Sequence, residues 1–133
     1  MFLNRLSSEQ KELFLDICIH AAVSNDDFAE EEQLVIEQYC DEMRIDVRFE
    51  AQHSVPEAVA RLKEISSRID LRIVLLETAS LIISDNKYDE EERSFFENFA
   101  ANLGVSKEEL EGVLTTLGEL NEIYGKIYRF VFD

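Results

Sequence analysis

Shifted by 60 residues, the sequence lies on itself without a gap through its most acidic part, SNDDFAEEE at 24–32 against SDNKYDEEE at 84–92. The apolar positions Ile36, Tyr39, Met43 and Ile45 then fall on Phe96, Phe99, Leu103 and Val105. Six positions between 13 and 46 are identical to their partners, namely Leu15, Ser24, Glu30, Glu31, Glu32 and Glu37. What recurs is therefore a pattern of turn, aromatic residue, triple Glu and apolar stripe. Self-similarity at a fixed period implies a supersecondary unit used more than once, each copy covering a face that the other could not bury alone. Each copy here reads as a helix, an acidic turn and a second helix.

The apolar spacing around both turns is helical. Phe14, Ile17, Cys18, Ala21 and Ala22, behind a Ser7 and Gln10 capping pair, predict a first helix over 8–24. Val35, Ile36, Tyr39, Cys40 and Met43 predict a second over 29–44. Ser54 and Glu57 form a capping box with Pro56 in the first turn, where its missing N–H costs nothing, and Ala58, Val59, Leu62 and Ile65 supply the stripe of a third helix. Apolar residues surround the stretch 69–84 instead of lining one side, as expected of a central buried helix. A fifth helix over 89–103 carries Phe95, Phe96 and Phe99 and stops at Gly104. Ser106 and Glu109 cap a last helix that reaches at least Leu120. Gly112, Gly118 and Gly125 weaken it, and the alternation at 128–132 fits a strand as well as a helix.

Four Gly and one Pro are too few for an all-β chain, which needs a turn every 8 to 12 residues or so. At 133 residues with 46% apolar side chains, the chain can build one core but not two. The expected fold is all-α, a single domain over 1–133, with about six or seven helices and two repeated helix-turn-helix units. Twenty-nine acidic against 13 basic residues give a net charge of -16, which repels a phosphate backbone or an anionic membrane and favours a basic protein as partner. No apolar run approaches the roughly 18 residues of a membrane span, and no signal-peptide core is visible, so membrane insertion is not expected and a cytoplasmic location is.

At its two acidic turns the sequence resembles the TerB-like family, small helical domains associated with tellurite resistance and also found at the start of some membrane-anchored J-domain co-chaperones. The resemblance covers most of the chain. The family's outline is a small-residue helix end, an Asp-Gly pair, two variable positions with an apolar residue, and a Glu early in the next helix; residues 22–32 and 82–92 follow it. The Asp-Gly pair reads Asn25 and Asp26 in the first copy and Asp85 and Asn86 in the second. Asn and Asp tolerate the left-handed backbone that Gly would supply. The resemblance implies a non-catalytic, stress-related helical module, and a divalent cation at its acidic turns. Asp85 retains the ligand that Asn25 has lost. No His-Pro-Asp tripeptide occurs, so the co-chaperone's J domain is absent from this sequence.

The charge distribution bears on the same two turns independently of the family. Positions 25–32 carry a net -5 and positions 85–92 a net -4, more than half of the total -16. Packing carboxylates so densely costs about 1 kcal/mol per close pair even in water. Helix N-termini offset that cost through their free N–H groups and dipole, and a hard cation held by oxygen ligands offsets it more sharply. Glu32 and Glu92 precede apolar residues by three, four and seven positions, so both lie on the apolar face and are expected to be buried, unlike Glu31 and Glu91. With Asp89 as N-cap, Glu92 completes a capping-box variant; Ala29 gives Glu32 no such partner, leaving a turn N–H, Arg61, Arg68, Arg72 or an ion. The expected metal ligands are Asp85, Asp89 and Glu92, with Asp26, Asp27 and Glu32 as a weaker counterpart. Ca²⁺ or Mg²⁺ suits this donor set better than Zn²⁺, since no thiolate or imidazole is near in sequence.

Other chemistry is thin. A 12-residue EF-hand loop counted from Asp85 would put Lys87 at its third position and Phe96 where the bidentate Glu belongs. His20 and His53 lack metal-ligand spacing, and Cys18 and Cys40 sit in apolar phases as reduced core residues. No phosphate loop or nucleophile elbow is present, and no catalytic residue is assigned. The chain is expected to be a non-enzymatic cation-binding module. The alternative is a protein-interaction module that uses its acidic surface or the C-terminal aromatics Tyr124, Tyr128, Phe130 and Phe132.

Overall fold

A computed structural model describes residues 1–23, 30–83 and 90–133. Among them a short 3-10 turn, Leu3–Arg5, precedes six helices: α1 (Ser8–Ala22), α2 (Glu30–Met43), α3 (Val55–Ile65), α4 (Arg68–Ile82), α5 (Glu90–Asn102) and α6 (Lys107–Phe132). No strand occurs among the described residues, so 128–132 resolves as the last turns of α6. The fold is an all-α single-domain bundle.

Side-chain caps start the helices where the sequence puts Ser. Ser7 Oγ accepts from the Gln10 N–H at 3.2 Å while the Ser7 N–H donates to Gln10 Oε1 at 2.8 Å. Ser67 and Asp70 repeat the arrangement at 3.1 and 3.0 Å, a capping box that the sequence reading overlooked. The two boxes touch, because Gln10 Nε2 also donates to Asp70 Oδ2 at 3.1 Å, so the starts of α1 and α4 are tied together. Ser54 and Ser106 cap α3 and α6 through the N–H groups of Glu57 and Glu109.

The ends correspond as well. α2 closes at Arg44 with φ 59°, and Ile45 N–H donates to the Cys40 carbonyl at 3.0 Å. α5 closes at Gly104 with φ 82°, and Val105 N–H donates to the Ala100 carbonyl at 3.0 Å. Both are left-handed terminations of the kind Gly accepts without strain. α1 and α4 span 8–22 and 68–82, and α2 and α5 begin at 30 and 90. The starts of α1 and α4, and those of α2 and α5, are thus each 60 residues apart.

The core lies between α1 and α4, which pack on each other and on α2 and α5. Every residue from Leu13 to Ile19 is buried, so α1 is as central as α4. α4 was expected to be buried all round, and it is so from Ile73 to Ile82 apart from Leu76 and Ser80; at its start Ile69 is 57% exposed. The halves diverge after the second helix of each pair. A connection over 44–54 brings α3 back to pack on α1, whereas a connection of only 103–106 leads into α6, which packs on α4 and α5.

Candidate functional site

α2 and α5 each open with three Glu residues, a placement the helix dipole favours. Their environments differ. Glu30, Glu31, Glu90 and Glu91 are exposed, while Glu32 and Glu92 are each 1% exposed. The cause is helical phase, since Glu32 lies one turn before Ile36 and Glu92 one turn before Phe96, both fully buried. Glu32 and Glu92 each interact with neighbouring groups. Arg61 is taken up by Glu9 at 3.0 Å and Glu64 at 3.0 Å, and Arg72 by Glu109 at 3.1 Å. The other expected ligands, Asp26, Asp27, Asp85 and Asp89, lie outside the described residues, as do Phe28 and Tyr88. Among the described residues no three His, Cys, Asp or Glu side chains form a group that could hold a metal ion.

Two buried acids escaped the sequence reading. Asp16, fully buried in α1, accepts from Arg48 at 2.7 Å, from the Gln52 N–H at 2.8 Å and from His53 Nδ1 at 2.8 Å. Burial pushes its carboxyl up, but the bonds from Gln52, His53 and Arg48 together outweigh that and hold it below the ordinary Asp value. Arg48 also reaches Glu12 Oε2 at 3.1 Å and the Glu50 carbonyl at 2.8 Å, and His20 Nε2 lies 2.8 Å from the His53 carbonyl. Both His residues therefore serve to fasten 48–53 over α1. Glu77, in α4, receives the Met1 amine at 3.0 Å, and its backbone carbonyl accepts from Tyr39 Oη at 2.8 Å. A detectable signal existed in each case: one acid inside an otherwise apolar run, Leu13 to Ile19 and Ile73 to Leu76 with Ala79 beyond. Burial pushes the Cys18 thiol well above its ordinary range, which suits a packing residue and not a nucleophile.

Among the described residues, the longest run of exposed large apolar side chains is on α6. Leu110 and Leu117 are buried and Val113 and Leu114 half-buried against the bundle. Beyond Leu120 the helix continues without cover: Ile123, Tyr124, Ile127, Tyr128, Val131 and Phe132 are 53 to 71% exposed, and Phe130 is 89% exposed. The Tyr128 and Phe132 rings lie 4.9 Å apart. On the opposite side run Glu119, Glu122, Lys126, Arg129 and Asp133, so the uncovered segment is amphipathic. The apolar stripe is contiguous and uncovered, whereas monomeric proteins seldom expose contiguous apolar patches beyond a few hundred Å². No protein-family model, curated protein or solved structure matches this chain.

Proposed function

We propose that the protein is a non-catalytic interaction module whose docking element is the C-terminal half of α6. The observation that carries this is the uncovered apolar face from Ile123 to Phe132 on a helix whose first half is anchored in the core. Such a helix presents anchors at successive turns to another polypeptide, the mode by which amphipathic helices fill apolar grooves. The test is site-directed crosslinking in cells from positions within 123–132, comparing the natural chain with one carrying Tyr124→Ser, Ile127→Ser and Val131→Ser. Protein crosslinks in the first that vanish in the second, with the melting transition of the bundle retained, are the expected result. Identical crosslinking in both would defeat the proposal.

One observation favours a second function, a divalent cation held near the starts of α2 and α5. Glu32 and Glu92 are both buried at corresponding positions, although an exposed Glu precedes each. The matched helix bounds, caps and burial support reading α1–α2 and α4–α5 as two copies of one unit, as the TerB-like resemblance also suggests. Asp85, Asp89 and Glu92 would supply an all-oxygen donor set for Ca²⁺ or Mg²⁺, and Asp26, Asp27 and Glu32 a weaker one. Affinity is expected at the weak end, roughly 10⁻⁴ to 10⁻³ M. An ion bound only by the folded chain adds about 2.7 kcal/mol at a hundredfold excess over its dissociation constant. Thermal unfolding with and without Ca²⁺ or Mg²⁺ at matched ionic strength should show that gain, and Asp85→Asn should abolish it. Without ion, Glu92→Ala should cost about 1 to 3 kcal/mol against about 0.5 or less for Glu91→Ala. Equal stabilisation in Asp85→Asn would leave helix capping as the role of the acidic turns.

A further inference from the structure

The stripe that anchors α6 and the stripe it exposes are one seam. Leu110, Val113, Leu117, Leu120, Tyr124, Ile127 and Val131 follow alternating steps of three and four residues, the a and d positions of a heptad pattern. Burial fades along that seam without any change in its chemistry: Leu117 is 5% exposed, Tyr124 58%, Ile127 54% and Val131 62%. The bundle covers the first half of the seam and leaves the second half competent to pair with another helix of the same pattern.

We infer that the occupant is a second copy of this chain, the two C-terminal halves of α6 pairing antiparallel; this rests on the docking role proposed above and names its partner. In that register Leu120 faces Val131 of the other copy and Tyr124 faces Ile127, giving four a–d layers that are self-complementary under a twofold axis. Charge selects the orientation. Residues 119–133 carry only -1 of the net -16, so nearly all of the repulsion between copies resides in the bundles. Antiparallel pairing separates the two Leu117 anchor points by about 25 Å along the axis, well past the roughly 8 Å Debye length at physiological salt. Parallel pairing would set the two acidic bundles side by side. The apolar area is also large: four of the exposed side chains of the segment are Tyr or Phe, each able to bury about 150 to 250 Å², against the roughly 800 Å² that each partner contributes to a standard interface. Ile123 and Phe130 flank one side of the seam and Tyr128 the other, which widens the apolar contact beyond the a and d rows.

The experiment is sedimentation equilibrium of the full chain at micromolar concentration, alone and as Ile127→Glu, followed by oxidative crosslinking of Leu120→Cys mixed with Val131→Cys. The expected results are a species of twice the 15.4 kDa chain mass, a dissociation constant raised about thirtyfold or more by Ile127→Glu with the bundle's melting transition retained, and a mixed disulfide forming faster than either self-disulfide. A monomer at all concentrations, a dimer indifferent to Ile127→Glu, or Leu120→Cys crosslinking fastest to itself would each overturn the inference. A monomer whose 123–132 segment still crosslinks to other proteins in cells would overturn the second-copy assignment alone; a monomer without such crosslinks would overturn the docking role with it. Binding of the monomer to phosphatidylcholine vesicles through the same segment would likewise replace a protein partner with a lipid surface.

Discussion

Asp16→Ala is expected to destabilise the fold by about 3 to 5 kcal/mol in a urea titration, because it removes one partner of a buried ion pair and strands the others. Arg48, the Gln52 N–H and His53 all lose their acceptor at once. Arg48 keeps Glu12 and the Glu50 carbonyl, which places the effect toward the lower end of that range. The same carboxylate gives the stability a definite pH dependence. Its folded-state pKa lies below the ordinary value of 3.8, so its contribution is fully present above about pH 5, where the unfolded chain is also ionised, and is lost as pH falls through the lower folded value. Asp16→Asn should be destabilised at neutral pH and show a shallower acid limb than the natural chain. A parallel acid limb in both would mean that other carboxylates dominate acid unfolding.

Phe96→Ala is expected to cost a similar amount, about 3 to 5 kcal/mol, because a fully buried aromatic side chain leaves a cavity that the surrounding helices can only partly close. Phe96 lies with its ring centroid 6.4 Å from that of Phe99, and it occupies the position that Ile36 fills in the first helical pair. Ile36→Ala should therefore also be severe, at about 2 to 5 kcal/mol, whereas Leu34→Ala, at a position 51% exposed, should stay within about 0.5 kcal/mol. An effect at Leu34 as large as that at Ile36 would contradict the assigned phase of α2.

The sequence by itself determined the helices and their faces, because both are local. A Ser followed three residues later by Gln or Glu fixes a helix start through bonds within one turn, and the 3.6-residue period decides which side chains point inward. Thus Ser7, Ser54 and Ser106 marked helix starts, and the phase of Glu32 and Glu92 foretold their burial beside the exposed Glu31 and Glu91. Tertiary structure decided which neighbours the inward groups meet. Asp16 is satisfied because 44–54 is long enough to return over α1, while its counterpart at 76 is Leu and α6 leaves directly after a short connection. The same difference in connection length sends α3 back onto α1 and lets α6 run past the bundle. The heptad stripe of α6 reads identically along its length in sequence. Only how far α4 and α5 extend alongside α6 separates the part that is core from the part that is surface, for burial depends on what lies across the interface and not on the residue that faces it.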